Sequence, residues 1–228
     1  MCDNSRAAVI AKYTDKSRYK SEHIFGNVYV DENRINESLK NEKEKVQFEK
    51  ELNTAIRFSA HFNCDVFMLP PGDGGGVIYL DKNSNPDMIA NRIFIDIKNP
   101  SGTGTSIKRR FQESIHQADG ALISIQNETT IEQAKRWIEE KLQYMDNHDG
   151  FIVVVENNNH NFEVFEIEKG LLKSSPFLKN RKFSPTVNFY NTTSCVNVNP
   201  TATVRNKLQK LRKRYMRAQA GLLEHCAP

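Results

Sequence analysis

The sequence predicts an α/β protein in which helices flank a mixed central sheet. Three observations predict this class. The predicted elements follow the order helix, strands, helix, strand, helix, strands along the 228 residues. Two continuous apolar runs, residues 121–125 (ALISI) and 151–155 (FIVVV), are typical of buried strands. Other segments carry apolar residues at the helical period, and such helices bury their apolar stripe against a sheet.

The first strongly predicted helix spans residues 46–62. Its apolar stripe consists of Phe48, Leu52, Ala55 and Phe62. Asn63 is suited to end this helix, because asparagine tolerates the left-handed conformation found at many helix C-termini. Residues 1–30 mix short apolar pieces with polar residues and predict an irregular lead-in with room for one strand. Residues 31–45 are charged in both signs and can begin a helix.

Short strands follow this helix. Residues 65–69 (DVFML) predict one strand, and residues 77–80 predict another after a loop rich in proline and glycine. Residues 88–90 and 93–98 predict a hairpin that turns at Asn91-Arg92.

Helices and strands alternate in the rest of the chain. An amphipathic helix around residues 107–118 is predicted to end at Gly120. Thr129 and Glu132 have the spacing of a capping box and predict the start of a helix that reaches about residue 144. We expect a returning strand at residues 162–168, loops at 170–200 and a final helix at 203–223.

Positive charge is concentrated near the C-terminus, although the net charge is only +4. Residues 201–223 hold seven basic residues and no acidic one, whereas residues 1–200 hold 25 basic and 27 acidic residues. Such localised charge is typical of proteins that contact a polyanion, either nucleic acid or a membrane surface. We favour phosphate contacts, because the rest of the chain lacks a basic excess. The predicted helix lacks Trp and has a narrow apolar stripe, which argues against a membrane-surface helix. The alternative is a helix that packs on the body by its apolar stripe and leaves its basic side chains in solvent. The candidate contacts are Arg205, Lys207, Lys210, Arg212, Lys213, Arg214 and Arg217.

Three segments are expected: an N-terminal extension at residues 1–45, an α/β domain at 46–170, and a loop with the basic helix at 171–228. No window approaches the ~20 apolar residues of a membrane span, and residues 1–13 lack the apolar core of a secretory signal. The four cysteines lack metal-ligand spacing. We therefore expect a cytoplasmic site of action, reduced thiols and no membrane insertion.

The predicted hairpin holds the residues with the clearest chemical potential. Asp96 and Lys98 are two positions apart on a strand, so their side chains share one face. Asp87 begins the neighbouring strand, which can bring its carboxylate beside Asp96. Two carboxylates can hold a divalent ion, and an adjacent ammonium can position water or offset negative charge. These residue types suit metal-assisted cleavage of a phosphodiester, although most such pairs are simply the polar face of a strand.

Three further residues are candidates near this hairpin. On a helical projection, Glu51 lies inside the apolar arc of the first helix, where a carboxylate needs a partner. Glu44 and Glu49 are alternatives to it. Gln117, at the end of the second helix, can bond either a phosphate or the Lys98 end of the strand. Arg110 can contact a phosphate or remain in solvent.

These residues resemble a known motif. Asp87 after Pro86, followed by Asp96-Ile97-Lys98, is similar to the PD-(D/E)xK motif of the restriction-endonuclease-like nucleases. The resemblance covers about residues 46–156. It is closest to the nuclease toxin modules at the C-terminal ends of contact-dependent growth inhibition proteins, which share the V-x-x-L-P strand end seen at Val66 to Pro70.

The resemblance carries specific implications for the fold, the site and the partners. It implies a restriction-endonuclease-like core, with Glu51, Asp87 and Asp96 as ligands of a divalent metal ion (Mg, Mn or Zn). Lys98 would be the catalytic lysine, supported by Gln117. Nucleic acid, either DNA or tRNA, is the implied substrate, and a cognate immunity protein is the implied partner.

Two other classes of function fit the same sequence. The basic tail alone would suit a nucleic-acid-binding protein without catalysis. A metal-independent ribonuclease could recruit His61, His116 and Arg110, although no spacing in the sequence groups them.

Overall fold

One mixed sheet organises the fold. The computed structural model describes residues 6–71 and 85–176, and within these residues nine strands lie side by side in chain order. The strands are β1 (Ile24–Phe25), β2 (Val28–Val30), β3 (Val66–Met68), β4 (Met88–Ala90), β5 (Ile93–Lys98), β6 (Gly120–Ser124), β7 (Ile152–Glu156), β8 (Phe162–Glu168) and β9 (Leu171–Ser174).

The sheet contains both parallel and antiparallel pairs. β5, β6 and β7 run parallel to one another, and β2 runs parallel to β3. The other neighbours are antiparallel. Together with the flanking helices, this arrangement confirms the predicted α/β class. Because β5, β6 and β7 share one direction, their last residues (Lys98, Ser124 and Glu156) meet at the same end of the sheet, where α/β proteins commonly bind ligands.

Five helices surround the sheet in the described residues: α1 (Arg6–Thr14), α2 (Glu32–Ser38), α3 (Glu42–Phe62), α4 (Gly104–Ile115) and α5 (Ile131–Leu142). Short 3₁₀ helices cover Lys16–Arg18 and Ser21–His23. The side chains of Asn41 and Thr103 cap α3 and α4 by accepting backbone N–H bonds. Asn63 ends α3 with φ 47° and ψ 52°, which confirms the predicted left-handed cap.

Two apolar clusters hold the helices on the sheet. One cluster joins α4 and α5 to β6 and β7 through buried residues that include Ile107, Phe111, Ile123, Ile138 and Val153. The other cluster joins α1 to β3, β4 and β5 through Val9, Tyr13, Phe67, Ile89 and Phe94. Burial of large apolar side chains is the main source of stability in such packing.

The β4–β5 hairpin is confirmed with its predicted turn. Asn91 and Arg92 both have positive φ angles, 50° and 69°, as a two-residue turn between strands of right-handed twist requires. Met88 pairs with Ile95 across the hairpin. The register fixes Asp87 next to the second half of β5, so a local turn sets the position of the candidate carboxylates.

Several predicted details are wrong. Gly120 does not end the second helix but begins β6, where a Cβ atom would lie 2.9 Å from the carbonyl oxygen of Ile152. The capping box that opens α5 consists of Thr130 and Gln133 instead of the residues one position earlier. Within the predicted loop after residue 170, β9 pairs with β8. The predicted lead-in contributes two strands, β1 and β2.

The described residues all belong to one compact unit. The sheet within that unit includes strands from the predicted extension at residues 1–45 and from the segment after residue 170. The predicted strand at 77–80 and the basic helix at 203–223 lie outside the described residues. Of the helices that the structure describes, none has the length and apolar character needed to cross a membrane.

Candidate active site

The β4–β5 hairpin positions Asp87 through its own backbone. The Asp87 N–H donates to the carbonyl of Ile95 at 3.0 Å, and the Asp87 carboxylate accepts from the N–H of Ile97 at 2.7 Å. The carboxylate is therefore held against β5, the strand that carries Asp96 and Lys98.

Asp96 and Lys98 form a partly buried ion pair on one face of β5. Lys98 Nζ lies 2.9 Å from Asp96 Oδ1 and 3.1 Å from Gln117 Oε1, so it donates to both. The hydroxyl of Ser114, on α4, donates to Asp96 Oδ2 at 2.5 Å. The Asp96 side chain is 1% exposed and that of Lys98 is 15% exposed. The structure thus places Gln117 in contact with Lys98. Gln117 itself lies just beyond α4, which ends at Ile115.

Glu51 joins the same group of residues through Arg34. Arg34 Nη2 donates to Glu51 Oε2 at 2.5 Å and to Asp87 Oδ1 at 2.8 Å, and Nη1 donates to the carbonyl of Leu69 at 3.0 Å. Gln47 donates to the other oxygen of Glu51 at 2.5 Å. Glu51 is therefore buried and partnered, as its place in the apolar arc of α3 requires.

The three carboxyl groups of the site have different pKa values. Burial, reinforced by the charge of Asp87, raises the pKa of Asp96 to about 7 despite the opposing effect of Lys98. Burial and the same charge also raise the pKa of Glu51, against Arg34 and Gln47. Burial opposes ionisation of Asp87 as well, but Arg34 and Lys98 outweigh it and lower the pKa of that carboxyl. Differences of this kind between neighbouring carboxyl groups are common in functional sites.

The donor set fits one kind of cation better than others. Within residues 6–71 and 85–176, no group of three or more acidic, histidine or cysteine side chains is arranged to hold a metal ion. Asp87 and Asp96 supply two hard carboxylates from the two arms of the hairpin. Mg²⁺ is commonly bound by one or two carboxylates together with water and substrate phosphate. The residues therefore suit an ion of this type better than a closed zinc site, which takes four protein ligands.

The remaining predicted site residues either pair with a residue outside this group or lie outside the described residues. Arg110 is half-exposed and pairs with Glu113 on its own helix at 2.8 Å. The seven basic residues between Arg205 and Arg217 lie outside the described residues.

Sequence reasoning missed Arg34 and the role of Ser114. Arg34 lies in a stretch of mixed charge, and its partners Glu51 and Asp87 are 17 and 53 residues away. No local pattern indicates such a contact. Ser114 carries a weak signal, because it is a polar residue on the apolar face of the second predicted helix, where a hydroxyl needs a partner.

Another buried ion pair lies at the same end of the sheet. The guanidinium of Arg57, on α3, donates to both carboxylate oxygens of Glu156, which is 0% exposed. Ser124 donates to Glu156 at 2.6 Å, and His160 lies 3.0 Å from it. This network links α3 to the ends of β6 and β7 and thereby fixes the helix that carries Glu51.

We expect Asp96→Asn to stabilise the protein at alkaline pH. A carboxyl with a raised pKa in the folded state contributes stability below its unfolded pKa of ~4, and this stability is lost as the pH rises through about 7. Asparagine stays neutral. In buffers with chelator, the melting temperature of Asp96→Asn should be closest to that of the wild type near pH 4 and should exceed it most near pH 8.

Asp65→Asn provides the control for this prediction. Asp65 pairs with Lys16 at 2.8 Å in a half-exposed surface ion pair. Its substitution should change the melting temperature by a similar, small amount at both pH values. A wild type that is as stable as Asp96→Asn at pH 8 would show that burial of Asp96 does not destabilise the fold.

The comparisons with known proteins give one match. No family model and no curated protein matches this chain. Among solved structures, the chain is similar to the CdiA-CT/CdiI toxin and immunity complex from Burkholderia pseudomallei, at 19% sequence identity and a TM-score of 0.39. The similarity covers 57% of this chain and 91% of that chain. A TM-score this low does not establish a shared fold.

Proposed function

We propose that this protein is a metal-dependent endonuclease that hydrolyses phosphodiester bonds of DNA or tRNA. The observation that carries the proposal is the position of Lys98, which donates to Asp96 and Gln117 beside the Asp87 carboxylate. A lysine held between a carboxylate and an amide, next to a second, largely buried carboxylate, supplies both charge stabilisation and hard oxygen ligands.

Lys98 has the donor capacity that such a reaction needs. An ammonium group carries three N–H donors. Asp96 and Gln117 account for two of them, and the remaining one is left for a phosphate oxygen or for the attacking water. The two fixed partners restrict the ammonium to one position, so it need not reorganise as negative charge develops on the phosphate.

Asp87 and Asp96 are the residues that would hold the cation. When bound, a divalent ion supplies Lewis acidity to the phosphate and makes nearby water more acidic. Asp87 is the better anion of the two, because Arg34 and Lys98 lower its pKa. Burial raises the pKa of Asp96, so it ionises less readily than Asp87. Ser114 fixes the orientation of Asp96 by donating to one of its carboxylate oxygens.

We also propose that the basic C-terminal segment holds the nucleic acid. Residues 1–200 have no basic excess, whereas residues 201–223 carry seven positive charges. Truncation after Pro200 should weaken binding and reduce its salt dependence by about one unit of log–log slope for each phosphate that the protein no longer neutralises. Slow cleavage should persist, because residues 87–117 are retained. Equal affinity and equal salt slope in the truncated protein would contradict phosphate binding by this segment.

A toxin role forms part of the proposal and rests on the sequence resemblance. Under it, the nuclease acts in the cytoplasm of a bacterium and is neutralised by a cognate immunity protein. Induced expression in a bacterial host should stop growth for the wild type and not for Lys98→Met. Growth arrest by both proteins would show that toxicity does not depend on the proposed site.

The proposed activity is tested by incubating the full chain with plasmid DNA and with total tRNA, with Mg²⁺ and with EDTA. Cleavage that EDTA abolishes supports the proposal. Cleavage that survives EDTA would favour a metal-independent ribonuclease, and binding without cleavage would favour a nucleic-acid-binding protein. Lys98→Met, purified in the same way, controls for a contaminating nuclease.

A further inference from the structure

Arg34 occupies a distinctive place between two acidic residues of the candidate site. Its side chain is 9% exposed, and one nitrogen, Nη2, bonds both Glu51 and Asp87. Its other terminal nitrogen, Nη1, is fixed by the carbonyl of Leu69. The guanidinium thus lies where a cation shared by these two carboxylates would otherwise lie.

The backbone around Arg34 is held as firmly as its side chain. Asp31 caps α2 by accepting from the N–H of Asn33 at 2.9 Å, and the Asp31 N–H donates to the carbonyl of Met68 at 3.1 Å. α2 is therefore attached to the end of β3, next to Leu69. An arginine held by its helix, a carbonyl and two carboxylates leaves its position only at high cost, because breaking a buried ion pair is strongly destabilising.

The charges of the site set a limit on further cations. Glu51, Asp87 and Asp96 supply at most three negative charges, and Arg34 and Lys98 supply two positive charges. A single divalent ion would already make this buried group net positive. A second divalent ion would add two more positive charges, and an ion shared by Glu51 and Asp87 would have to displace Arg34, which bonds both carboxylates.

We infer that Arg34 replaces a second metal ion, so that the proposed nuclease site binds one divalent cation, held by Asp87 and Asp96, and not two. This inference rests on the proposed function. It assigns Glu51 to the neutralisation and positioning of Arg34 instead of direct binding to the cation. Arg34 is a positioning residue here, since it acts through Asp87.

Equilibrium dialysis of the full chain against Mn²⁺ tests the inference without any measurement of activity. We expect the wild type to saturate at one Mn²⁺ per chain, and Asp96→Asn to lose that ion. Saturation at two ions per chain would overturn the inference and leave the proposed nuclease function standing. Saturation at zero would overturn the inference and the proposed metal dependence together.

Arg34→Met extends the test, because it leaves Glu51 and Asp87 without the guanidinium that they share. We expect this variant to bind a second Mn²⁺ and to gain more in melting temperature from Mn²⁺ than the wild type does. Arg57→Met is the matched control, because it removes an arginine from a different buried carboxylate, Glu156. It should still bind one ion. If Arg34→Met binds one ion and gains no more from Mn²⁺ than Arg57→Met, the inference is wrong.

Discussion

Replacing Lys98 with methionine is expected to lower the rate of nucleic-acid cleavage by roughly 10²- to 10³-fold or more. The structure places two positively charged side chains in the proposed site. Arg34 is shared by two carboxylates, whereas the Lys98 ammonium is held by one carboxylate and one amide. Lys98 therefore keeps positive charge for the reacting phosphate. Asp87→Asn and Asp96→Asn should abolish cleavage as well, because each removes a ligand of the proposed cation. Single-turnover cleavage with saturating protein and Mg²⁺ measures the loss.

Lys108→Met is the matched control for this prediction. Lys108 pairs with Glu140 at 2.6 Å on the surface, in an ion pair between α4 and α5. Its removal should leave the cleavage rate within a few-fold of the wild type and cost at most ~1 kcal/mol of stability. If Lys98→Met folds and cleaves at the wild-type rate, the assigned role of Lys98 is wrong.

Arg57→Met is expected to lower the free energy of unfolding by about 3–5 kcal/mol. Glu156 is completely buried, and Arg57 is its bidentate partner, so the substitution leaves an uncompensated charge in the core. Ser124 and His160 remain beside Glu156 but do not replace a permanent positive charge. Chemical denaturation with a linear fit of the unfolding free energy measures the effect.

Removing the buried charge of Glu156 as well should recover much of the stability that Arg57→Met loses. In the double variant Arg57→Met with Glu156→Gln, the amide keeps hydrogen-bonding capacity for Ser124 without the buried charge. A double-mutant cycle should therefore give a large coupling energy between positions 57 and 156. The surface variant Arg109→Met, whose partner Glu113 lies 3.9 Å away, serves as the control and should stay within ~1 kcal/mol of the wild type. Additive effects at positions 57 and 156 would contradict the description of this pair.

The parts of the fold that the sequence predicts well are those set by local patterns. The β4–β5 hairpin depends on a two-residue turn between apolar runs, and α3 depends on an apolar stripe and an asparagine cap, so neighbouring residues specify both. β1, β2 and β9 are harder to predict because they are short. Two to four residues carry too little periodicity, and these strands form through pairing with neighbours that the sequence alone does not identify.

The same division applies to the candidate site. Asp96 and Lys98 share a strand face, and the register of the hairpin brings Asp87 beside them, so alternation and turn geometry are sufficient to group them. Glu51 is identified from the mismatch between a carboxylate and an apolar helix face. Its partner Arg34 has no such signal, because the contact depends on how α2 packs against the end of β3, which no short-range pattern encodes.

The position of a bound cation tests the central claim most directly. Crystals of the full chain with Mn²⁺ allow the ion to be located by its anomalous scattering. We predict an anomalous peak coordinated by the carboxylates of Asp87 and Asp96, adjacent to Lys98, and no such peak in Asp96→Asn. The absence of a peak at these carboxylates in the wild type, with Mn²⁺ bound elsewhere or not at all, would contradict the proposed site.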